Sequence, residues 1–216
     1  MTLTPPKLKT LENKYGRYAS WAIWNPDPSI KMDTSVITDH VDQLHASVVM
    51  VGLNISNALP QPWSNFHFGL HDRKLNYAFN QSPYRGAYMT DIIKGEIDAK
   101  SSNIRAKIKS GEIDIAKHVS LFKTEMEDVG ATQNTLFILF GNEAYQHFKK
   151  HLSSSYPNFV LSKHYSYAYA ADAKIIDEIW SALEQHSQQT QEAFGTLPFS
   201  RSEAMNQSLE KLSQSK

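Results

Sequence analysis

The sequence predicts an α/β protein in which helices cover both faces of a parallel sheet. Segments with helical periodicity alternate along the chain with short apolar segments, which is the order that repeated βαβ units require. The apolar segments lack a period of two, which is typical of strands buried on both faces. With 216 residues, of which 41% are hydrophobic, the chain is large and apolar enough to bury such a sheet in one domain.

Four short apolar segments are predicted as strands. The first two are rich in β-branched and aromatic residues, and the third runs directly into Gly141. The four strands span residues 47–53, 87–93, 135–140 and 159–161. Ligands of parallel sheets bind outside the carboxyl ends of the strands. The residues that follow each strand are therefore the first candidates for a functional site.

Amphipathic periodicity predicts the helices. The segment 113–129 repeats apolar residues at i, i+4, i+7, i+11 and i+14, and Asp33 and Asp172 are suited to cap their helices. The predicted helices span residues 33–46, 70–80, 113–129, 142–152 and 172–189. We predict a single domain over 1–216, with a motif-bearing core at about 33–190, a polar lead-in at 1–14 and a weakly amphipathic tail from Phe199.

A dense aromatic segment lies between the lead-in and the first predicted helix. Tyr15, Tyr18, Trp21 and Trp24 are followed by two prolines, which forbid a regular element there. Such a cluster favours a place in the core or a lid against the core. A surface on which bases stack is the alternative.

Composition excludes several classes of function. The 22 basic and 22 acidic residues cancel, which excludes a broadly cationic protein but leaves a local basic patch open. The absence of cysteine excludes disulfides, thiolate zinc sites, cysteine-ligated iron–sulfur clusters and cysteine nucleophiles. We predict no metal and no cofactor. The polar N-terminus and the lack of a long apolar run predict a cytoplasmic protein with no membrane partner.

Three polar residues lie at or near the ends of predicted strands. Asn54 follows the first strand and either begins a turn or positions a water or a substrate amide. Asp91 lies inside an apolar strand, where a carboxylate needs partners, so it either accepts from loop amides or reads a ligand. His164 follows the fourth strand and is either a structural group or a donor to a developing anion.

Taken in order, the motifs from about Val48 to Ala170 resemble those of the uracil-DNA glycosylase superfamily. That family has a glycine-led first motif, an aromatic residue that stacks on the base, a strand that carries the base-reading residue, a strand followed by glycine and a helix, and a final His-Pro-Ser motif. This chain offers GLNIS at 52–56, NFHF at 65–68, AYMTDIIK at 87–94, LFGNEA at 139–144 and HYS at 164–166.

The resemblance implies a three-layer α/β/α sandwich around a short central parallel sheet, and it implies roles for individual residues. Asn54 would position the hydrolytic water and His164 would stabilise charge on the departing base. Base binding would fall to Gly52, Leu53, Phe66 (with Phe68 as the alternative stacking residue) and Asp91. Contacts with the DNA backbone would fall to Ser56, Lys94 and Ser166.

Where the family pattern has proline in its first and last motifs, this chain has Ile55 and Tyr165, and where some branches have the base-reading asparagine it has Asp91. An asparagine amide offers a donor and an acceptor, whereas an ionised carboxylate offers acceptors only. Opposed to O4 of uracil, the carboxylate would cost about 1–3 kcal/mol. We therefore expect a pocket for a base other than uracil, with edges like those of cytosine or guanine.

The expected function is that of a divergent DNA glycosylase, with DNA, or a free nucleobase or nucleotide, as its partner. The basic residues between Lys94 and Lys109 either neutralise phosphates or belong to a solvated loop, since acidic residues interrupt them. Two alternatives remain open. One is a non-catalytic nucleotide- or nucleic-acid-binding module on the same fold, and the other is an unrelated sandwich whose strand-end residues are structural.

Overall fold

The computed structural model describes residues 3–25 and 33–194. In these ranges, seven α-helices and five strands form an α/β fold with a central sheet. The helices are Pro5–Tyr15 (α1), Ser35–Asp39 (α2), Arg73–Phe79 (α3), Ser101–Ser110 (α4), Ile115–Val129 (α5), Asn142–His151 (α6) and Asp172–Phe194 (α7). The strands are Ser20–Trp21 (β1), His45–Ile55 (β2), Ala87–Ile97 (β3), Leu136–Phe140 (β4) and Phe159–Ser162 (β5). The predicted tail from Phe199 lies outside the described residues.

The sheet is mixed, with strand order β1-β3-β2-β4-β5. Strands β3, β2, β4 and β5 are parallel, as predicted, and the two-residue strand β1 pairs antiparallel with β3 at the edge. The prediction of a purely parallel sheet is therefore wrong at one edge. The antiparallel strand comes from the aromatic segment, where the following prolines predicted no regular element.

Two apolar clusters cover the two faces of the sheet. Successive residues of β2 alternate between them, since Val49 and Val51 belong to one cluster and Val48 and Met50 to the other. Helices α1, α4, α5 and α6 contribute to the first cluster, and helices α3 and α7 contribute to the second. This arrangement explains the unbroken apolar runs in the sequence, because each strand buries both of its faces. The architecture is compatible with a three-layer sandwich.

The aromatic segment belongs to the core, as predicted. Tyr15, Tyr18, Trp21 and Trp24 are all buried. The ring centroids of Trp21 and Tyr88 are 4.7 Å apart in an edge-to-face arrangement. The rings therefore stabilise the edge of the sheet and are not a surface on which bases stack.

Three predicted segments differ from the structure. The segment predicted as a polar lead-in forms helix α1, and Leu8, Leu11 and Tyr15 share one buried face of it. The predicted helix at 33–46 is shorter, with α2 followed by a 3-10 turn at Val41–Gln43 and then by β2. The backbone N–H of His45 donates to Gly86 O at 2.9 Å, so sheet pairing displaces the helix there. The third difference is α4, which forms inside the polar basic stretch.

Candidate functional site

One cavity lies at the carboxyl ends of the parallel strands. Its volume is about 740 Å³, and the segments that follow β2, β4 and β5 line it together with Asp91 of β3. Most residues singled out from the sequence line this cavity. They are Gly52, Leu53, Asn54, Ser56, Phe66, Asp91, His164 and Ser166. Because parallel strands end at the same edge of a sheet, residues far apart in the sequence are close together here.

Gly52 and Asp91 are paired neighbours on strands β2 and β3. A Cβ atom on Gly52 would lie 2.2 Å from Asp91 Oδ1 and 3.6 Å from Phe66 Cζ. A side chain at position 52 would therefore occupy the space of the carboxyl group. The glycine of the first motif is required because it lets the aspartate lie across the backbone of the neighbouring strand.

The Asp91 carboxyl group is only 2% exposed. Its Oδ2 accepts a hydrogen bond from Asn65 Nδ2 at 2.7 Å, and the same nitrogen donates to Tyr18 O at 2.9 Å. Burial raises the pKa of Asp91 to about 7, although the hydrogen bond from Asn65 and the charge of Lys94 both oppose that rise. The group thus changes protonation state around neutral pH and lines the cavity in either form.

Three aromatic rings form one wall of the cavity. Phe66 is 4% exposed, and its ring centroid is 6.1 Å from that of Tyr165, which is 5.3 Å from that of Phe140. Phe66 has φ of +65°, a left-handed conformation that costs free energy for a residue with a large side chain. The Trp24 indole N–H donates to Phe66 O at 3.3 Å and helps to hold this conformation.

His164 is held as a neutral imidazole. Its Nδ1 accepts hydrogen bonds from the backbone N–H of Ser166 at 3.2 Å and from the Ser166 hydroxyl at 2.8 Å. Burial, together with the nearby His71 and Lys74, lowers the pKa of His164 to about 4. Because Nδ1 accepts, the single proton of the neutral ring is on Nε2, and His164 can donate a hydrogen bond from that atom.

The turn after β4 makes room for this imidazole. Gly141 has φ of +86°, and a Cβ atom there would lie 2.9 Å from His164 Cδ2. The glycine therefore serves both the left-handed turn into α6 and the close approach of the histidine ring. The ring also stacks on Tyr165, with centroids 4.9 Å apart.

Asn54 has a structural role through its side-chain nitrogen. Nδ2 donates to Asp98 O at 2.7 Å and to Ile55 O at 2.9 Å, which ties the end of β2 to the chain after β3. Since both acceptors are carbonyl oxygens, the nitrogen must face them. Asn54 lines the cavity as well, and its Oδ1 is the atom with which it can accept a hydrogen bond from a ligand or a water.

Two of the predicted site residues do not line the cavity. Lys94 is 7% exposed and packs on the helix α5 side of the sheet, where its ammonium group forms an ion pair with Glu125 and donates to Thr90 Oγ1 at 2.8 Å. This position is incompatible with the predicted contact between Lys94 and a phosphate. Phe68 is half-buried and lies outside the lining, so of the two predicted stacking residues only Phe66 lines the cavity.

The cavity also contains residues that the sequence analysis missed. Tyr165 lines the cavity but is not among the predicted site residues, although an aromatic residue next to a candidate histidine is a usable signal. His71 lines the cavity, and its buried Nδ1 has no hydrogen-bond partner in the described part of the chain. Asp72 also lines the cavity, but its Oδ2 accepts from Gly69 N at 2.7 Å, which gives it a role in loop structure.

Two basic side chains of helix α4 are paired with acidic ones. Arg105 Nη1 lies 2.8 Å from Glu143 Oε1, and Lys107 Nζ lies 3.4 Å from carboxylate oxygens of both Glu96 and Glu112. Ser101, at the start of α4, and Glu143 are both lining residues, so the pair of Arg105 and Glu143 lies beside the cavity. Part of the charge of the basic stretch is therefore balanced by acidic partners.

Across residues 3–25 and 33–194, no helix is both long and apolar enough to cross a membrane. The same residues contain no group of three or more histidine, aspartate or glutamate side chains arranged to hold a metal ion. No protein-family model matches the chain, and neither a curated protein nor a solved structure matches it.

Proposed function

We propose that this chain is a divergent DNA glycosylase that holds an extruded base in the cavity and hydrolyses its N-glycosidic bond. The observation that carries the proposal is the convergence of Asn54, Phe66, Asp91 and His164 on one cavity. Its volume of about 740 Å³ is within the usual range for small-molecule sites. An aromatic wall beside two groups that form directional hydrogen bonds suits a flat polar heterocycle.

In this proposal the bond breaks by a dissociative route. The electrons of the N-glycosidic bond go to the base, and the Nε2–H of His164 donates a hydrogen bond to the anion that develops. Asn54 Oδ1 accepts a hydrogen bond from a water molecule and orients it. The oxygen of that water adds to C1′ of the sugar cation, and its proton neutralises the base. Phe66 and Tyr165 contact the face of the base, and Asp91 contacts its edge.

An abasic-site assay tests this proposal. Duplex and single-stranded oligonucleotides that each carry one base from a panel of uracil, hypoxanthine, xanthine and alkylated bases are incubated with the chain, and alkali-labile sites are counted. We expect cleavage for at least one base, and we expect Asn54→Ala and His164→Ala each to lower the rate by about 10²-fold or more.

Asn134→Ala and His151→Ala are the matched controls, because both residues lie outside the cavity lining. All four variants are compared by thermal unfolding, so that a loss of activity is not a loss of folded protein. Cleavage that N54A and H164A leave unchanged would contradict the assigned roles. A lack of cleavage for every base would contradict the enzymatic proposal.

A second candidate is a module that binds a nucleobase or a nucleotide without hydrolysis. The pairing of Arg105 with Glu143 and of Lys107 with Glu96 favours it, because paired cations hold DNA phosphates poorly. Base flipping costs a few kcal/mol, which phosphate contacts normally offset. Inactivity on the whole panel, together with thermal stabilisation by a free base, would favour the module over the enzyme.

A further inference from the structure

We infer that Asp91 meets its ligand as a neutral carboxylic acid that donates its own proton, so that the cavity selects a heterocycle with an acceptor and an N–H donor side by side. This inference rests on the proposed binding of a base in the cavity. It names the kind of edge that the base presents.

The geometry around Asp91 disfavours an isolated negative charge. The carboxyl group is 2% exposed, lies against the backbone of Gly52, and accepts one hydrogen bond, from Asn65 Nδ2 at 2.7 Å. Asn65 is a neutral donor, and its orientation is fixed because its Oδ1 accepts from Phe66 N at 3.1 Å. A desolvated carboxylate with a single neutral donor is costly, and a protonated carboxyl group in the same place costs much less.

The charged groups of the surrounding elements would not compensate a negative charge on Asp91. Lys94, on the same strand, is bound to Glu125 of α5, so its positive charge is opposed by a negative one. Asp72, which precedes α3, adds a further negative charge. The loop after β5 contributes the Tyr165 hydroxyl, whose pKa lies well above its ordinary value because the ring is buried and the charges of Asp72 and Asp91 oppose its ionisation.

The pKa of Asp91 agrees with this geometry. Burial is the largest cause of the rise in the pKa of Asp91 to about 7, and Glu125 and Asp72 add to the rise. Across the residues that the structure describes, no cation lies within ion-pair distance of the Asp91 carboxyl group. The acid form is therefore populated at neutral pH and dominates below it.

The protonation state of Asp91 decides which hydrogen-bonding edge of a heterocycle it can bind. A carboxylic acid offers one O–H donor and one carbonyl acceptor, which complement a ring N–H next to a carbonyl oxygen. A carboxylate offers two acceptors, which complement two adjacent N–H donors, such as N1–H and N2–H of guanine. The sequence-based expectation of a base other than uracil applies to the ionised form only, because the acid can donate to O4.

Two methylated bases serve as probes of this inference. They are 1-methyluracil, with N3–H beside O4, and 9-methylguanine, which can present two N–H donors. Isothermal titration of the full chain is carried out between pH 5.5 and 8.5. We expect the affinity for 1-methyluracil to fall towards tenfold per pH unit above pH 7, with net proton uptake on binding that appears as a dependence on the buffer. The affinity for 9-methylguanine should not fall in this way.

Asp91→Asn is the conservative variant, since an amide permanently offers a donor and an acceptor. We expect this variant to bind 1-methyluracil with an affinity that does not depend on pH, and we expect Asp91→Ala to bind it at least tenfold more weakly than D91N. A carbon-detected NMR titration of the ligand-free chain provides a second readout, in which the Asp91 carboxyl signal should shift with a midpoint near pH 7.

The outcomes separate this inference from the proposed function. Binding of 1-methyluracil that stays constant or strengthens as the pH rises would overturn the inference and leave base binding intact. An NMR midpoint near pH 4 would also overturn it, without reference to any ligand. If neither probe binds at any pH, the binding of a base in the cavity is refuted, and the inference falls with it.

Discussion

The Asp91 carboxyl group occupies the space that a side chain at position 52 would fill, so Gly52 makes room for it. A Cβ atom at position 52 would lie 2.2 Å from Asp91 Oδ1, which is far inside the van der Waals contact distance. The clash involves a carboxyl group that is itself buried and held by a hydrogen bond from Asn65. The carboxyl group thus has little room to move, so the cost of a methyl group at position 52 depends on Asp91.

Gly52→Ala should therefore destabilise the chain by about 1–3 kcal/mol through overpacking. Asp91→Ala in the same chain removes the clashing atoms, so the double variant should be more stable than G52A alone. Chemical denaturation of the two single variants and the double variant measures this coupling. Additive effects of the two substitutions would show that Asp91 is not the obstacle.

The stability of the chain should also report the protonation of Asp91. Its pKa is 3.8 as an ordinary aspartate and about 7 in the folded chain, so the folded state binds more protons between these values. This group therefore lowers the free energy of unfolding as the pH rises from about 4 to about 7, by up to about 4 kcal/mol in total.

Asp91→Asn removes the contribution of Asp91 to the pH dependence of the unfolding free energy. We expect D91N to gain stability relative to the parent chain as the pH is raised from 5 to 8, and the difference in unfolding free energy at each pH, measured in urea, isolates the group from other titrating residues. Asp128→Asn, at a carboxyl group whose pKa is lowered by Lys14, serves as the control with the opposite shift. A difference between D91N and the parent that does not change with pH would contradict the assignment.

For individual residues, the sequence predicted which ones line the cavity better than it predicted their hydrogen bonds and ion pairs. The rule that ligands bind at strand ends was enough to single out Asn54, Asp91 and His164, and all three line the cavity. It could not predict that Asn54 Nδ2 is engaged by Asp98 O, because this contact depends on how far β3 continues beyond its apolar run. The side of the sheet that Lys94 occupies depended on the same extension.

Among the elements, strand β3 carries buried polar side chains towards both faces of the sheet. Lys94 forms an ion pair with Glu125, and the other oxygen of Glu125 accepts from the Tyr88 hydroxyl at 2.8 Å and from Thr90 Oγ1 at 2.7 Å. The Lys94 ammonium group also lies 4.9 Å from the centre of the Phe122 ring. This buried network fastens α5 to the sheet.

Lys94→Met should cost about 3–5 kcal/mol, because it leaves the Glu125 carboxylate buried without its cation. Adding Glu125→Gln removes the charge and keeps an acceptor for Tyr88 and Thr90, so the double variant should regain part of the loss. Thermal unfolding of these chains makes the comparison. Lys107→Met is the surface control, and we expect no measurable change from it. Equal losses for K94M and K107M would contradict the buried pair.

Elements with long apolar stripes or apolar runs were predictable, and those without them were not. Helices α5 and α7 and the strands β2 to β5 were all predicted to within a few residues or a single turn, apart from polar extensions at strand ends. Helix α1 was missed because its buried face has only three apolar residues in a polar segment, and α4 was missed because Ile104 is its one fully buried residue. Tertiary contacts decide such elements more than local sequence does.

For the whole molecule, the balance of charges determines how strongly the affinity for DNA would depend on salt. The net formal charge is zero, and Arg105 and Lys107 of α4 are paired with carboxylates. Paired cations neutralise few phosphates, and each neutralised phosphate contributes about 0.9 to the slope of log affinity against log salt. Binding to DNA should therefore depend only weakly on salt.

We expect a slope of magnitude below about 2 for a short duplex, as measured by fluorescence anisotropy over a series of salt concentrations. Glu143→Gln releases Arg105 from its ion pair, and this variant should steepen the slope by about one contact. Glu127→Gln, at an exposed position on α5, is the control that changes the net charge equally. A slope of 5 or more for the parent chain would contradict this account.

Lys94 and Asp91 lie on the same strand, with their side chains on opposite faces of the sheet. Residues behind the sheet therefore influence a group that lines the cavity. Lys94 makes Asp91 more acidic and Glu125 makes it less acidic, although neither side chain lines the cavity. A substitution in the helical layer behind the sheet would thus reset the proton affinity of a group in front of it. The chemical preference of the cavity could thus be tuned from the buried layer between the sheet and α5, which no occupant of the cavity contacts.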